Sequence, residues 1–269
     1  MKGVYINGRH TKRGEPYYSL KVISYVAKIP VYKGQKDAKV VFNWGGGGFV
    51  APRGATVLNR KFVYGGKYRQ SQFMIKAGCK TPQSWKYLKN VPTGSFPVLE
   101  KLERSQGGKG IILLRTKPAR RAQSKARWYQ KYINKKREYR VFFFLDEVPM
   151  VNEKIPTDRS QVTWNLHNSS WTGAYGLKNS AKLKKIVLAG TKALHLDWGA
   201  ADILEDTKGN YWICEINSRP GCQSPGGDKA TFKRNKNGIY EPTSGGVGGG
   251  SAGMWAGQFR KFLEKKGKR

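Results

Sequence analysis

The stretch AADILEDTKGNYWICEINSRPG, residues 200–221, constrains this chain more than any other. It reads as two apolar strands joined by the turn EDTKGN, hence an antiparallel pair. Each strand is interrupted by oxygen-bearing side chains: Asp202 in the first, Glu215 and Asn217 in the second. Residues two apart on a strand share a face. Glu215 and Asn217 therefore present their oxygens side by side, and the neighbouring strand can bring Asp202 next to them. A carboxylate withdrawn from water is costly without a cation. Three hard oxygen donors with room for water and phosphate suit Mg2+ rather than zinc. The alternative is an edge strand carrying solvated polar residues.

Charge is the second constraint. With 51 Lys and Arg against 17 Asp and Glu, the 269 residues carry a formal charge of +34. Such an excess points to polyanionic company: nucleic acid, nucleotide phosphates or an acidic substrate. The alternative is a solvated basic surface, because the cations are spread along the chain and form no single arm. At 38% hydrophobic and 12% aromatic residues the composition is that of a folded protein. No run approaches the ~20 apolar residues of a membrane span, and MKGVYINGRH lacks the apolar core of a signal peptide. A soluble, intracellular protein is expected. Cys79, Cys214 and Cys222 form no CxxC pair, which argues against a zinc site or disulfide framework. Nothing sets His10, His167 or His195 beside a serine or cysteine nucleophile.

Residues 1–66 read as a small α/β unit: YYSLKVISYVAKI has apolar residues at helical spacing, and AKVVFNWGGGGF is a buried strand ending in glycines. That glycine run is either a flexible turn or a ligand loop. A helix follows around Tyr68–Ile75, stopped by Gly78, and TPQSW opens an extended segment. FPVLEKLERSQGGKGIILLRT reads as strand, glycine loop, strand. YRVFFFLDEV is expected to run on as one long strand into PMVN. A helix over KKIVLAGTKALHL precedes the strand pair of residues 200–217. Beyond residue 221 the glycine-rich chain, with GGVGGGSAG at 245–253, is expected to be a mobile loop. Trp255, Phe259, Phe262 and Leu263 then mark a docking terminal helix.

Other residues suggest chemistry. Ser105, Gln106, Gly107, Gly108 and Gly110 form a glycine-rich loop whose backbone N–H groups could wrap phosphate oxygens, though taken alone an ordinary hairpin turn explains it better. The P-loop and Rossmann spacings are absent. Lys101, ending the preceding strand, could add a point charge. Arg140 enters the apolar run REYRVFFF; half-buried, it needs an anionic partner, a role a phosphate would fill, and the alternative is an exposed strand arginine. TWNLHNSS sets Asn165, His167 and Asn168 in a polar loop, near metal or phosphate or simply in a turn.

The order of these features, Lys101 with its small-residue loop, WYQKYI, EYRVFFF, WNLHNSS, AADIL and CEINSRPG, resembles the ATP-grasp superfamily. It is closest to the ribosomal-protein glutamate ligases and related carboxylate–amine ligases. GKYRQSQFMIKAGCKTPQSW is similar to the family's lead-in, and EINSRPG to its E-[VI]-N-x-x-P-G. The resemblance spans roughly residues 59–221. It implies an α+β ATP-grasp fold, two α+β lobes sandwiching ATP, behind a small N-terminal α/β pre-ATP-grasp domain. The implied division is 1–66 for that domain, 67–145 for the small lobe and 146–269 for the large lobe. It also implies roles. Lys101 and Lys67 face the nucleotide, and Ser105 to Gly110 close over its phosphates. Gln130, Lys131, Tyr132 and Ile133 form the hinge along the adenine edge. Arg140 and Asn165 lie by the transferred phosphate, and Asp202, Glu215 and Asn217 hold Mg2+, two ions, with Mn2+ as a substitute.

The sequence departs from the family at two places. Lys131 stands where the hinge usually carries an acid, and Thr163 stands where an arginine often precedes the asparagine, with Arg159 or Lys154 as replacements. The implied activity is ATP-dependent carboxylate–amine ligation through an acyl phosphate, releasing ADP and phosphate. The partners are ATP, a carboxylate and an amine or other nucleophile, with nucleic acid or another polyanion as a further partner. An ATP-grasp kinase, and a basic nucleic-acid-binding or structural protein that keeps the fold without turnover, are the competing readings. The implied location is the cytoplasm of a bacterium, or of the host cell for a phage-encoded chain.

Overall fold

The computed structural model describes residues 2–8, 18–45, 50–63, 65–103, 105, 108–118, 126–164, 168–221, 230–245 and 250–267. Gln106, Gly107, Asn165 and His167 lie outside the described residues. In chain order the elements are β1 (Val4–Gly8), α1 (Tyr18–Ala27), β2 (Val40–Trp44), β3 (Thr56–Leu58), α2 (Lys67–Lys76), β4 (Ser84–Trp85), β5 (Val98–Leu102), β6 (Ile112–Leu114), β7 (Arg127–Lys131), β8 (Lys135–Phe144), β9 (Glu147–Pro156), β10 (Ser169–Gly173), α3 (Ala181–Ala193), β11 (Trp198–Asp206), β12 (Tyr211–Asn217), β13 (Thr231–Arg234), β14 (Tyr240–Ser244) and α4 (Gly250–Gly267).

Two compact units result: residues 1–61 with 218–269, and residues 62–217. In the first, β1, β2 and β3 pair in parallel in that order. Such a sheet needs cover, and apolar side chains on α4 supply part of it: the Phe259 ring stacks on Phe42 at 4.0 Å between centroids, and Phe262 meets it edge-on. Asn7 donates to Asn43 Oδ1 at 2.9 Å, and Asn43 donates to the Asn59 carbonyl at 3.0 Å, a buried polar ladder across the strand ends. The β13–β14 hairpin belongs here too, with the Tyr240 N–H directed to Ser24 Oγ and the Val31 N–H to the Gly238 carbonyl. The expected loop beyond residue 221 thus contains a hairpin, and the last four residues of GGVGGGSAG, 250–253, belong to α4. Residues 218–269 group with the N-terminal segment rather than with residues 146–217 because the aromatic stripe of α4 is matched by β2.

The second unit holds two antiparallel sheets, β10-β9-β8-β11-β12 and β4-β7-β5-β6. The larger sheet has one apolar face. Tyr139, Val141, Phe143, Val151, Ala201, Ile203, Ile213 and Ile216 project from it onto Leu183 and Val187 of α3 and Met74 of α2, forming the main core. YRVFFFLDEVPMVN is not one strand. It folds into β8 and β9, paired antiparallel, with a tight turn at Leu145 and Asp146. Leu145 takes a left-handed conformation, φ 54°, and its N–H donates to the Asp197 carbonyl. No glycine or proline marks that turn, so composition does not reveal it.

Candidate active site

The opposite face of the larger sheet carries the polar residues, and strand register explains why. Asp202 lies opposite Glu215 on one side and opposite Arg140 on the other, while Arg140 lies opposite Asn152. Four polar positions therefore form a row across β9, β8, β11 and β12. Asn217, opposite Ala200, shares the face two residues on.

A bulge makes this possible. Strict alternation would put Ile213 and Glu215 on the same face, but pairing steps from Asp202↔Glu215 to Ile203↔Ile213, leaving Cys214 as the extra residue. Ile213 turns into the core and Glu215 onto the polar face. The Ile213 N–H donates to the Lys80 carbonyl, and its own carbonyl accepts from Thr81 Oγ1 at 2.8 Å, which ties the bulge to the chain leaving α2.

The carboxylates on this face are matched by protein cations. Arg140 grips Asp202 with two parallel bonds, Nε to Oδ1 at 2.9 Å and Nη2 to Oδ2 at 3.1 Å. Lys67 Nζ, on the first turn of α2, lies 3.0 Å from Glu215 Oε2. Burial pushes Asp202 up, but the charge and hydrogen bonds of Arg140, with Lys154 and Lys67 behind them, hold it below the ordinary carboxylate range. Arg140 is raised, chiefly by Asp202, so the pair stays ionised. Arg140 and Lys154 both stand over the Trp171 ring, at 5.0 and 5.1 Å from its centroid, and Lys154 also bonds Glu138. Of the two replacements considered for the missing arginine, Lys154 is on this face. Arg159 is exposed and donates to the Lys136 carbonyl.

Lys101 extends from the smaller sheet. Its Nζ donates to Gln130 Oε1 at 2.9 Å, stands 4.8 Å from the Trp128 ring centroid and lies 4.0 Å from Cys214 Sγ. The hinge candidates diverge in what they offer. The Lys131 and Tyr132 N–H groups are taken by the Gln83 and Pro97 carbonyls. The Lys131 ammonium is turned away to the Ser95 carbonyl at 2.7 Å, so it does not stand in for an acid. In the glycine loop Gly108 and Gly110 have φ of 73° and 72°. A Cβ on Gly108 would press on the Thr163 side chain at 3.1 Å, and one on Gly110 on Leu102 at 2.5 Å. Ser105 Oγ donates to the Leu102 carbonyl at 3.3 Å.

Two positions escaped the sequence reading. Glu103 Oε1 accepts the Tyr68 N–H at 3.2 Å, so the strand leading into the glycine loop caps the helix that carries Lys67. Gly66 leaves room for it: a Cβ there would lie 1.5 Å from Glu103 Oε1. Gly199 has φ 156°, and a Cβ would lie 2.4 Å from the Asn217 carbonyl oxygen. Backbone cannot yield as a side-chain tip can. Gly199→Ala is expected to cost about 2–3 kcal/mol of stability, measured by denaturant unfolding. A cost below about 0.5 kcal/mol would show that β12 moves freely at Asn217.

The fit to a divalent cation rests on the donor set. Two carboxylates and one amide oxygen share a face, all hard donors. Among the described residues no group of three or more His, Cys, Asp and Glu side chains could hold a metal ion; the set here offers two carboxylates and an amide. It suits an ion that shares phosphate oxygens. The same residues keep the face near neutrality through Arg140 and Lys67.

Residues 67–231 match the RimK-like ATP-grasp domain family. Over 96 residues the chain is 31% identical to the D-alanine--D-alanine ligase of Psychrobacter sp. (strain PRwf-1), covering 33% of this chain and only 29% of that relative's length. Among solved structures, the ATP-grasp ligase PsnB complexed with minimal precursor superposes with a TM-score of 0.56 at 14% identity, over 81% of this chain and 90% of that one. PsnB complexed with a phosphomimetic variant of minimal precursor, Mg and ADP gives 0.54 at 13%, over 82% and 90%. N5-carboxyaminoimidazole synthetase from Staphylococcus aureus gives 0.51 at 11%, over 81% and 70%. At such identities the likeness establishes the ATP-grasp fold. Among the described residues no helix is long and apolar enough to cross a membrane.

Proposed function

Because this chain belongs to the RimK-like ATP-grasp family, we propose that it is an ATP-dependent carboxylate–amine ligase whose active site is the polar face of β8, β11 and β12. The observation that carries this reading is the single row of Arg140, Asp202 and Glu215, flanked by Asn217, Lys67 and Lys101. In it, Lys101 and Lys67 contact the nucleotide phosphates, and the loop from Ser105 to Gly110 closes over them. The hinge from Gln130 to Ile133 borders the base. Asn165 joins Arg140 at the transferred phosphate.

Asp202, Glu215 and Asn217 would hold Mg2+, as two ions or with Mn2+ in their place. When bound, it supplies charge neutralisation of the phosphate oxygens. The chain's own residues do the rest by position and charge. Arg140 and Lys67, released from the carboxylates, are free to meet phosphate oxygens. The substrate carboxylate attacks the γ-phosphorus and ADP leaves. The acyl phosphate is then attacked by an amine, which loses a proton and expels inorganic phosphate. Lys101, buried beside Trp128, sits where low dielectric strengthens its pull on phosphate. Closure of the glycine loop keeps water from the acyl phosphate.

The test is coupled detection of ADP and inorganic phosphate with pooled carboxylates and amines, followed by mass analysis of the product. Amide product with one ADP per bond supports the reading. A phosphorylated product without amide would identify a kinase instead. The charge of +34 favours a second reading, binding of nucleic acid or another polyanion. Electrophoretic shift on DNA or RNA that weakens steeply with salt would support it.

A further inference from the structure

The apolar face of the larger sheet is covered by α2 and α3, and every charged side chain on these two helices is a cation. The chain holds no Asp or Glu from Arg159 to Leu196. Leu183, Val187, Gly190 and Thr191 turn α3 onto the sheet. Lys182, Lys185, Ala189 and Lys192 recur at helical spacing on the opposite side and form one straight outer line. The exposed positions of α3 hold nothing but lysine and alanine. Lys178, exposed in the short 3-10 helix Tyr175–Asn179 just ahead, adds a further cation. Stability alone does not select this arrangement. Lys182 and Lys184 stand in the first turn, where the helix dipole favours acids, and Lys182 repels Lys185 one turn on. The nearby acids are engaged elsewhere. Asp206 accepts from the Lys208 and Asn210 N–H groups and the Trp212 indole. Glu205 accepts from the Tyr139 hydroxyl at 2.6 Å, and Glu153 lies 3.6 Å from Arg137. Lys182 donates to the Gly209 carbonyl at 2.8 Å, which sets Lys208 of that turn beside the start of the line. A local rule broken without a packing gain marks a functional surface.

We infer that the outer face of α3 docks the phosphate backbone of duplex DNA, without regard to sequence. This rests on the second reading above, binding of a polyanion, and gives it a place in the fold; it does not rest on the ligase reading. From Lys182 to Lys192 the line is about 15 Å long at the rise of an α-helix, and a duplex offers a rigid array of one charge per about 1.7 Å of its axis. Lysine supplies a point charge that positions a duplex and reads no base. Base reading calls for Arg, Asn or Gln in a groove, and the exposed positions of α3 have none. Single strands are held by stacking on aromatic rings, whereas Ala189 is what separates Lys185 from Lys192. Duplex RNA is recognised largely through 2′-hydroxyls across its minor groove, and a line of ammonium groups offers them no acceptor. The proposed active site lies on the other face of the same sheet, so a docked duplex leaves it open.

The test is fluorescence anisotropy of the full chain with a labelled DNA duplex of about 30 base pairs, between about 50 and 200 mM salt. Replacing Lys182, Lys185 and Lys192 together by Gln is expected to lower affinity about tenfold or more at the lowest salt, and to reduce the salt slope by about one per lysine. Lys33→Gln, Lys36→Gln and Lys261→Gln together remove the same charge from exposed positions elsewhere and should leave the affinity within about twofold, because they make no phosphate contact. Lysine and glutamine have similar helix propensities, so both variants should keep the unfolding curve of the unmodified protein. A second measurement needs no variant: bound duplex should protect Lys182, Lys185 and Lys192 from acetylation, read by mass spectrometry, and leave Lys33, Lys36 and Lys261 reactive. Equal loss of affinity in the two triple variants, or equal acetylation with and without DNA, overturns the inference, as does binding of duplex RNA or polyglutamate as tight as that of duplex DNA. None of these results touches the ligase reading. Failure of the unmodified chain to bind DNA at any salt overturns both the inference and its reading as a nucleic-acid-binding protein.

Discussion

Glu215→Ala is expected to reduce ADP formation by about 10²–10³-fold or more, the scale of losing one charge-stabilising group at a reacting centre. The residue faces two charged neighbours. Asp202 sits opposite it across the β11–β12 pair, and Lys67 holds its carboxylate at 3.0 Å. Removing the side chain takes away one of the two carboxylates of the row and leaves Lys67 without that ion pair. The effect on stability should be small, at most about 1 kcal/mol, because both side chains keep contact with water and exposed pairs are weak. Activity and folding are thus expected to separate: a near-normal unfolding curve with turnover lost. Glu215→Gln keeps the shape and one oxygen donor, so it should retain more Mg2+-dependent nucleotide binding than alanine. Turnover within tenfold of the unmodified protein in the alanine variant would remove Glu215 from the mechanism and, with it, the assignment of the row.

The sequence made the row legible to a degree that can be stated residue by residue. Asp202, Glu215 and Asn217 stand out because carboxylates and amides are out of place in apolar strands, and the turn EDTKGN announces the antiparallel pair that brings them together. The turn is itself well built: Asp206 accepts from the N–H groups of Lys208 and Asn210 and from the Trp212 indole. The bulge was not legible. Period-two reading places Ile213 beside Glu215, and only the register shows that Cys214 is left over. The hairpin at Leu145 was missed because the turn contains an apolar residue with positive φ, a geometry that composition assigns to glycine or asparagine. Which cation meets which carboxylate was also hidden. Arg140 was expected to seek a phosphate, and its companion here is Asp202, 62 residues away. Glu103 and Gly199 act through backbone fit, which no local pattern records.

Arg140→Met is expected to be the most destabilising single change on this face, by about 2–3 kcal/mol at neutral pH. Removal of one member of a buried pair leaves the other charged and desolvated, at a cost of about 3–5 kcal/mol when burial is complete. Here the side chains are 25% and 16% exposed, which lowers the figure. The pH dependence has a definite sign. In the unmodified protein the folded-state pKa of Asp202 is depressed, so the pair stabilises above the ordinary carboxylate range and that contribution is lost as pH falls through the lowered value. In the variant the pull of Arg140 is gone and burial pushes Asp202 upward, so its penalty is present at neutral pH and relieved by protonation. The stability difference between the two proteins should therefore shrink on acidification from pH 7 toward pH 4, measured by urea unfolding at each pH. A difference that stays constant would mean that Arg140 acts through packing on Trp171 rather than through charge. The double replacement Arg140→Met, Asp202→Leu separates stability from chemistry. An apolar pair of similar volume commonly matches a buried ion pair, so it should return to within about 1 kcal/mol of the unmodified protein. ADP formation should not return, because the row has then lost both the cation for the transferred phosphate and one of its two carboxylates.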